Sequence, residues 1–206
     1  MHQMGDGHVL FSDHLQKIVA MCDANFNEIR TYGNDVIKYP SGLAVNTESR
    51  TLYVADCEDN CVHKFNVDTG KVLGKIGSEG RSDGNFRTPT DVTLTKKGHV
   101  IVADFDNNRI QMFDANDRFM RRLVGFGYED GEVINPCGVT MDPDELLIVS
   151  SYQKLQVFDK NGDLIKRIGS EEDGLDAPCG ITVISSRPRQ LAVANHRANN
   201  VKIFNY

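Results

Sequence analysis

The chain has no tryptophan, six prolines and five cysteines in 206 residues, and its Lys and Arg are outnumbered 23 to 29 by Asp and Glu. Each shortage excludes something. The cysteines (Cys22, Cys57, Cys61, Cys137, Cys179) are an odd, scattered set, which suits a reducing compartment better than a disulfide framework. The net charge of −6 weighs against a general nucleic-acid binder, because unspecific affinity for phosphate comes from Lys and Arg. It leaves room for a local basic or aromatic patch. The longest apolar runs are four to five residues, far short of the ~20 that span a bilayer. Met1–Asp6 offers no basic region followed by an apolar core, so no secretion signal is read. A cytoplasmic protein with no membrane partner is expected.

What is present is repetition, and a fixed period decides architecture. Pro40, Pro89, Pro136 and Pro178 are separated by 49, 47 and 42 residues. After each comes a short apolar alternation: Leu43-Ala44-Val45, Val92-Thr93-Leu94, Val139-Thr140-Met141 and Ile181-Thr182-Val183. A second strand signal follows in Leu52–Asp56, Val100–Asp104, Leu146–Ser150 and Leu191–Asn195. A third follows a polar loop, at Val62–Phe65, Ile110–Phe113, Leu155–Phe158 and Val201–Phe204. Three copies end in a fourth strand closing on Gly77, Gly125 and Gly169.

Short β-branched runs between turn residues read as an antiparallel meander, and proline is tolerated where a strand begins. A unit of about 45 residues cannot bury its own faces, so copies must stack; radial stacking gives a propeller. A degenerate copy sits at the front, with second, third and fourth strands in Gly7–Asp13, Val19–Cys22 and Ile29–Gly33 and no first strand. The expectation is an all-β propeller domain over residues 1–206, with about eighteen strands. Its blades are expected at about 7–33 (partial), 39–77, 87–125, 134–169 and 176–206 (partial). Met1–Gly5 is too short to close the ring, which leaves an incomplete ring or a strained five-blade closure.

The run Arg87-Thr-Pro-Thr-Asp-Val-Thr-Leu, then Gly98-His-Val-Ile-Val-Ala-Asp104 and Asn107-Asn-Arg-Ile-Gln-Met-Phe-Asp114 closely resembles the NHL repeat. The resemblance is strong over residues 39–206 and weak over 7–33. It implies a six-bladed propeller lacking about one blade here. Closest in character are the TRIM-NHL proteins, whose propellers bind single-stranded RNA or protein partners. Ubiquitin-ligase activity in that family lies in a RING segment that this chain does not contain. The resemblance therefore implies a non-catalytic module acting in post-transcriptional control. The alternatives are a protein-docking platform acting as a ligase substrate receptor and, third, a propeller hydrolase or lyase.

Strand alternation places the loop leading into each first strand and the loop joining second to third strands on one face. That face would collect Arg87, Phe105, Asn107, Arg109, Phe126, Tyr128, Tyr152, His196 and Arg197. Aromatics and guanidinium planes stack on unpaired RNA bases, and the resemblance implies the same face as the RNA surface. A plainer role stands beside each: Asn107 as a turn residue bonding its own backbone, Arg109 and Arg197 as ion-pair partners of neighbouring acids, Phe105 and Tyr152 as loop packing. Asp13, Asp56 and Asp104 recur at matched positions, with Ser150 and Asn195 as counterparts, and read as acceptors for loop N–H groups. Cys57 and Cys61 lack the second ligand pair a zinc site wants. No catalytic residue, metal, cofactor or small-molecule substrate is expected.

Overall fold

Nineteen short strands account for the regular structure of the computed structural model, which describes residues 1–206. They form five antiparallel meanders. Blade 1 holds β1 (His2–Gln3), β2 (Val9–Asp13), β3 (Ile18–Cys22) and β4 (Glu28–Tyr32). Blade 2 holds β5 (Pro40–Asn46), β6 (Thr51–Asp56), β7 (Cys61–Asn66) and β8 (Val72–Ile76). Blade 3 holds β9 (Pro89–Leu94), β10 (Val100–Asp104), β11 (Arg109–Phe113) and β12 (Phe119–Val124). Blade 4 holds β13 (Pro136–Met141), β14 (Leu147–Ser151), β15 (Lys154–Phe158) and β16 (Leu164–Gly169). Blade 5 has three strands, β17 (Pro178–Ser186), β18 (Arg189–Asn195) and β19 (Asn200–Asn205). No helix is long and apolar enough to cross a membrane.

The unbroken apolar runs of the second strands have a physical reason: both faces of an inner blade are covered, so side chains need not alternate with polar ones. In β6, Leu52 and Val54 join Leu10, Met21 and Tyr32 of blade 1, while Tyr53 and Ala55 join Val100, Val102 and Phe113 of blade 3. The pattern steps on. Ile101, Ile110 and Met112 of blade 3 meet Leu147, Val149 and Phe158 of blade 4, whose Ile148, Leu155 and Val157 meet Leu191 and Val193 of blade 5. Phe65, Phe113 and Phe158 close the third strands, all fully buried. Burying each such ring contributes about 1.5–3 kcal/mol.

Five blades thus share four cores, one fewer than a closed ring needs. The far face of blade 5 carries Val201, Ile203 and Ile184 at 67%, 53% and 51% exposure. Those first two occupy the register positions of Leu155 and Val157, which are buried in blade 4. The structure is an open arc, the first of the two expected alternatives.

Two sequence expectations are corrected. Blade 1 does have a first strand: His2 pairs with Leu10 and Gln3 with Val9. Two residues show no alternation, which is why this strand left no sequence signal. In blade 4 the counterpart of Asp56 and Asp104 is Ser151 rather than Ser150, because Pro136 pairs with Ser151 as Pro40 pairs with Asp56 and Pro89 with Asp104. The blade 4 turn has two residues between Ser151 and its partner Lys154, where blades 2 and 3 have four, so the spacing to the third strand misaligns the match.

Candidate functional site

The lead-in loops and the turns between second and third strands emerge together on one rim, the upper rim, as strand alternation requires. Aspartates that end second strands hold this rim. Asp56 accepts the backbone N–H groups of Lys38 (2.7 Å), Tyr39 (3.0 Å), Glu58 (3.1 Å) and Asp59 (3.0 Å). Asp104, fully buried, accepts the Arg87 N–H at 2.8 Å. Asn195 takes the same part in blade 5, accepting the Asp176 N–H and donating to the Gly174 carbonyl.

Arg109 and Asn107 belong to this scaffold, which corrects their assignment to a ligand surface. The Arg109 guanidinium is 2.7 Å from Asp104 and donates to the carbonyls of Arg81 (3.0 Å), Ser82 (2.9 Å) and Asn85 (2.8 Å), with its side chain 4% exposed. Asn107 donates to the Gly80 carbonyl and to Asp104. The physical reason is the length of the blade 3 lead-in loop (77–88), which folds back over β11 and needs donors for its inward carbonyls. Arg87 is half-buried and engages Asp104 and Asp106 through its backbone. Phe105 is half-buried, and its carbonyl accepts a long bond from Asn135 of the next blade.

The remaining candidates lie open on blades 4 and 5. Phe126, Tyr128 and Tyr152 are 61%, 73% and 57% exposed. The first two share blade 4's lead-in loop (125–135) and meet edge to face, ring centroids 5.9 Å apart. Lys154 holds that loop by donating to the carbonyls of Tyr128 and Glu129. Tyr152 sits at the turn tip with φ 49°, a backbone setting that bulky residues rarely occupy. His196 and Arg197 are exposed on blade 5; their backbone N–H groups bond to Ala177 and Asp176.

Two chemical groupings went unnoticed in the sequence. The first strands of blades 3, 4 and 5 bring Asp91, Cys137 and Cys179 together. Burial pushes the Asp91 carboxyl up to about 7, only partly offset by N–H bonds from Val139 and Val92. The neighbouring Cys179 thiol and burial push the Cys137 thiol up, while the Cys137 thiol beside it lowers that of Cys179. On blade 2, the ligand atoms of Asp59, Cys61 and His63 lie within 4.8 Å of one another. Only part of the signal was legible: Cys61 and His63, two apart in β7, share one face of the strand, while the turn before it brings Asp59 to them.

Radial four-stranded meanders, packed face to face with their loops on one rim, define a β-propeller. Within that class the chain carries NHL repeats, matched at residues 38–65 and 86–113. It is similar to the probable peptidyl-alpha-hydroxyglycine alpha-amidating lyase pgal-1 of Caenorhabditis elegans. The two are 26% identical over 176 residues, 82% of this chain and 49% of that protein. The human E3 ubiquitin-protein ligase TRIM32 is 29% identical over 136 residues, 59% of this chain and 20% of the ligase. The chain thus spans about half or less of these relatives. Among solved structures, a catalytically inactive virginiamycin B lyase from Staphylococcus aureus superposes with a TM-score of 0.70 at 15% identity. That match covers 98% of this chain and 67% of the lyase chain, and it bears on the fold alone.

Proposed function

We propose that this chain is a non-catalytic interaction module that binds single-stranded RNA on the upper rim of blades 4 and 5. The observation that carries the reading is the set of three exposed aromatics, Phe126, Tyr128 and Tyr152, on the rim of one blade. Base–aromatic stacking contributes about 1–3 kcal/mol per base and tolerates any base. Arg197 and His196 on the next blade supply a guanidinium plane and a ring with no side-chain partner of their own. Arg87 and Phe105 flank this surface at its blade 3 side. With one or two free cations at the site, the salt dependence is shallow: a slope near −1.4 in log K against log salt for about two phosphate contacts.

The test is fluorescence anisotropy of a short labelled single-stranded RNA pool titrated with folded chain. Saturable binding that persists at ~150 mM salt and weakens in Tyr152→Ala supports the reading. Absence of binding by a cooperatively folded sample overturns it.

A second reading, a protein-docking platform for a ubiquitin-ligase substrate, rests on a different observation. The same rim carries Glu129, Asp130, Glu171, Glu172 and Asp173, all exposed, and these repel phosphate while suiting a basic peptide. The likeness to a named E3 ligase agrees with it. The likeness to an amidating lyase supports a third, catalytic reading, which a lyase assay on α-hydroxyglycine peptides distinguishes from both.

A further inference from the structure

We propose that the upper rim of blade 2 is a zinc site whose ligands are Asp59 Oδ2, Cys61 Sγ and His63 Nε2, with Asp56 Oδ2 facing the fourth position. The three ligand atoms form a nearly equilateral triangle: Cys61 to Asp59 3.3 Å, Cys61 to His63 3.4 Å and His63 to Asp59 3.5 Å. Asp56 Oδ2 lies 3.4 Å from the same His63 nitrogen. Zinc bonds of about 2.3 Å to sulfur and about 2.0–2.2 Å to nitrogen and oxygen give tetrahedral edges of about 3.3–3.6 Å. The triangle already has the size of one face of such a tetrahedron. Cys61 and Asp56 are fully buried and His63 is 3% exposed, so the ligands are held in place before any metal arrives. One thiolate, one imidazole and carboxylates form a donor set that suits zinc over the harder divalent cations.

The repeat shows that this set is not needed for the fold. The third-strand residues at the positions of Cys61 and His63 are Arg109 and Gln111 in blade 3, Lys154 and Gln156 in blade 4, and Asn200 and Lys202 in blade 5. In blades 3 and 4 those side chains clamp a long lead-in loop: Gln111 bonds Gly84 and Asn85, and Gln156 bonds Gly131 and Glu132. The blade 2 lead-in loop (33–39) is shorter than those at 77–88 and 125–135. Cys61 and His63 therefore have no loop carbonyls to hold and face Asp59 and each other.

Two cations also touch the cluster. Lys38 pairs with Asp59 Oδ1 at 2.7 Å, and Lys75 with Oδ2 at 3.2 Å. Lys38 uses the oxygen that the metal leaves free and stays. Lys75, half exposed, gives up its oxygen and returns to water. Cys61 releases its thiol proton to solvent as the zinc–sulfur bond forms, as any zinc cysteine must.

The test uses cobalt(II) as the spectroscopic stand-in for zinc, added to the chelator-treated, folded chain. The expected result is one equivalent bound, with a thiolate-to-cobalt charge-transfer band and tetrahedral d–d bands that zinc abolishes. Two variants assign the ligands. His63→Gln installs the residue that blades 3 and 4 use at this position, and Cys61→Ser keeps the shape of the side chain. Each is expected to bind cobalt at least tenfold more weakly, and His63→Gln to do so while still melting cooperatively. A folded parent without the charge-transfer band overturns the proposal. So does a band of full strength in folded Cys61→Ser, which would place the thiolate at another cysteine, or cobalt affinity unchanged in folded His63→Gln, which would remove His63 from the ligand set.

Discussion

Replacing Arg109 with alanine separates a scaffold arginine from a ligand-binding one. The substitution removes the charged partner of a fully buried carboxylate, Asp104, and leaves the Arg81 carbonyl without its donor, while the Ser82 and Asn85 carbonyls keep only the Asn85 N–H and the Gln111 side chain. Deleting one member of a buried ion pair costs about 3–5 kcal/mol, because the other charge stays buried and uncompensated. For a chain of this length each kcal/mol moves the melting temperature by about 2–4 °C. Arg109→Ala is therefore expected to melt on the order of 10 °C below the parent, followed by circular dichroism at pH 7. Arg109→Lys should lose less, because blade 4 places Lys154 at this position and still holds its lead-in loop. The RNA affinity of the folded fraction should stay near that of the parent. A variant that melts within 2 °C of the parent but loses RNA binding would refute this reasoning and return Arg109 to the surface.

Tyr152→Ala is expected to weaken RNA binding by roughly 5- to 150-fold, the equivalent of about 1–3 kcal/mol of stacking, with an unchanged melting curve because the ring is largely exposed. Arg197→Ala should weaken binding and make its salt slope shallower by about 0.7. The Asp91 carboxyl, raised to about 7 by burial, takes up a proton on folding. Its contribution is present in full below about pH 4 and is lost as pH rises through about 7. Asp91→Asn should therefore raise the melting temperature at pH 8 and leave it nearly unchanged at pH 4; a parent equally stable at both values, with no gain in the variant, contradicts this. Gly138→Ala places a methyl 2.1 Å from the Cys179 carbonyl of the next blade, whereas Gly180→Ala meets only Ala194 at 3.9 Å. The first should destabilise by about 1–3 kcal/mol and the second by little in urea denaturation, since no neighbouring blade crowds Gly180 in this structure; equal losses would mean that the arc closes.

The assignment of loops to the upper rim was legible before any coordinates, because strands that alternate in direction send alternate connections to the same side. Tyr152, Phe126, Tyr128, His196 and Arg197 are exposed on it. Arg109 and Asn107 were not separable from them by sequence. Their partners lie 24 to 28 residues away in Gly80–Asn85, and nothing in the local pattern says which way a guanidinium at a strand start will turn. Cys61 and His63 carried a readable alternation that the turn extends to Asp59, yet cysteine spacing pointed to Cys57 and Cys61, whose side chains go to different partners: Cys57 to the Pro89 carbonyl, Cys61 to Asp59 and His63.

The sequence by itself determined the all-β class, the repeat and the order of strands within each blade. Those follow from local rules: apolar runs bounded by turn residues, and prolines where a strand opens. Tertiary structure alone decided that five blades share four cores and leave an open face, that β1 forms from two residues, and that Asp91 accepts the Val139 N–H of the next blade. Each of these depends on what a neighbouring blade places opposite a side chain, a distance in space that a 42- to 49-residue period does not encode.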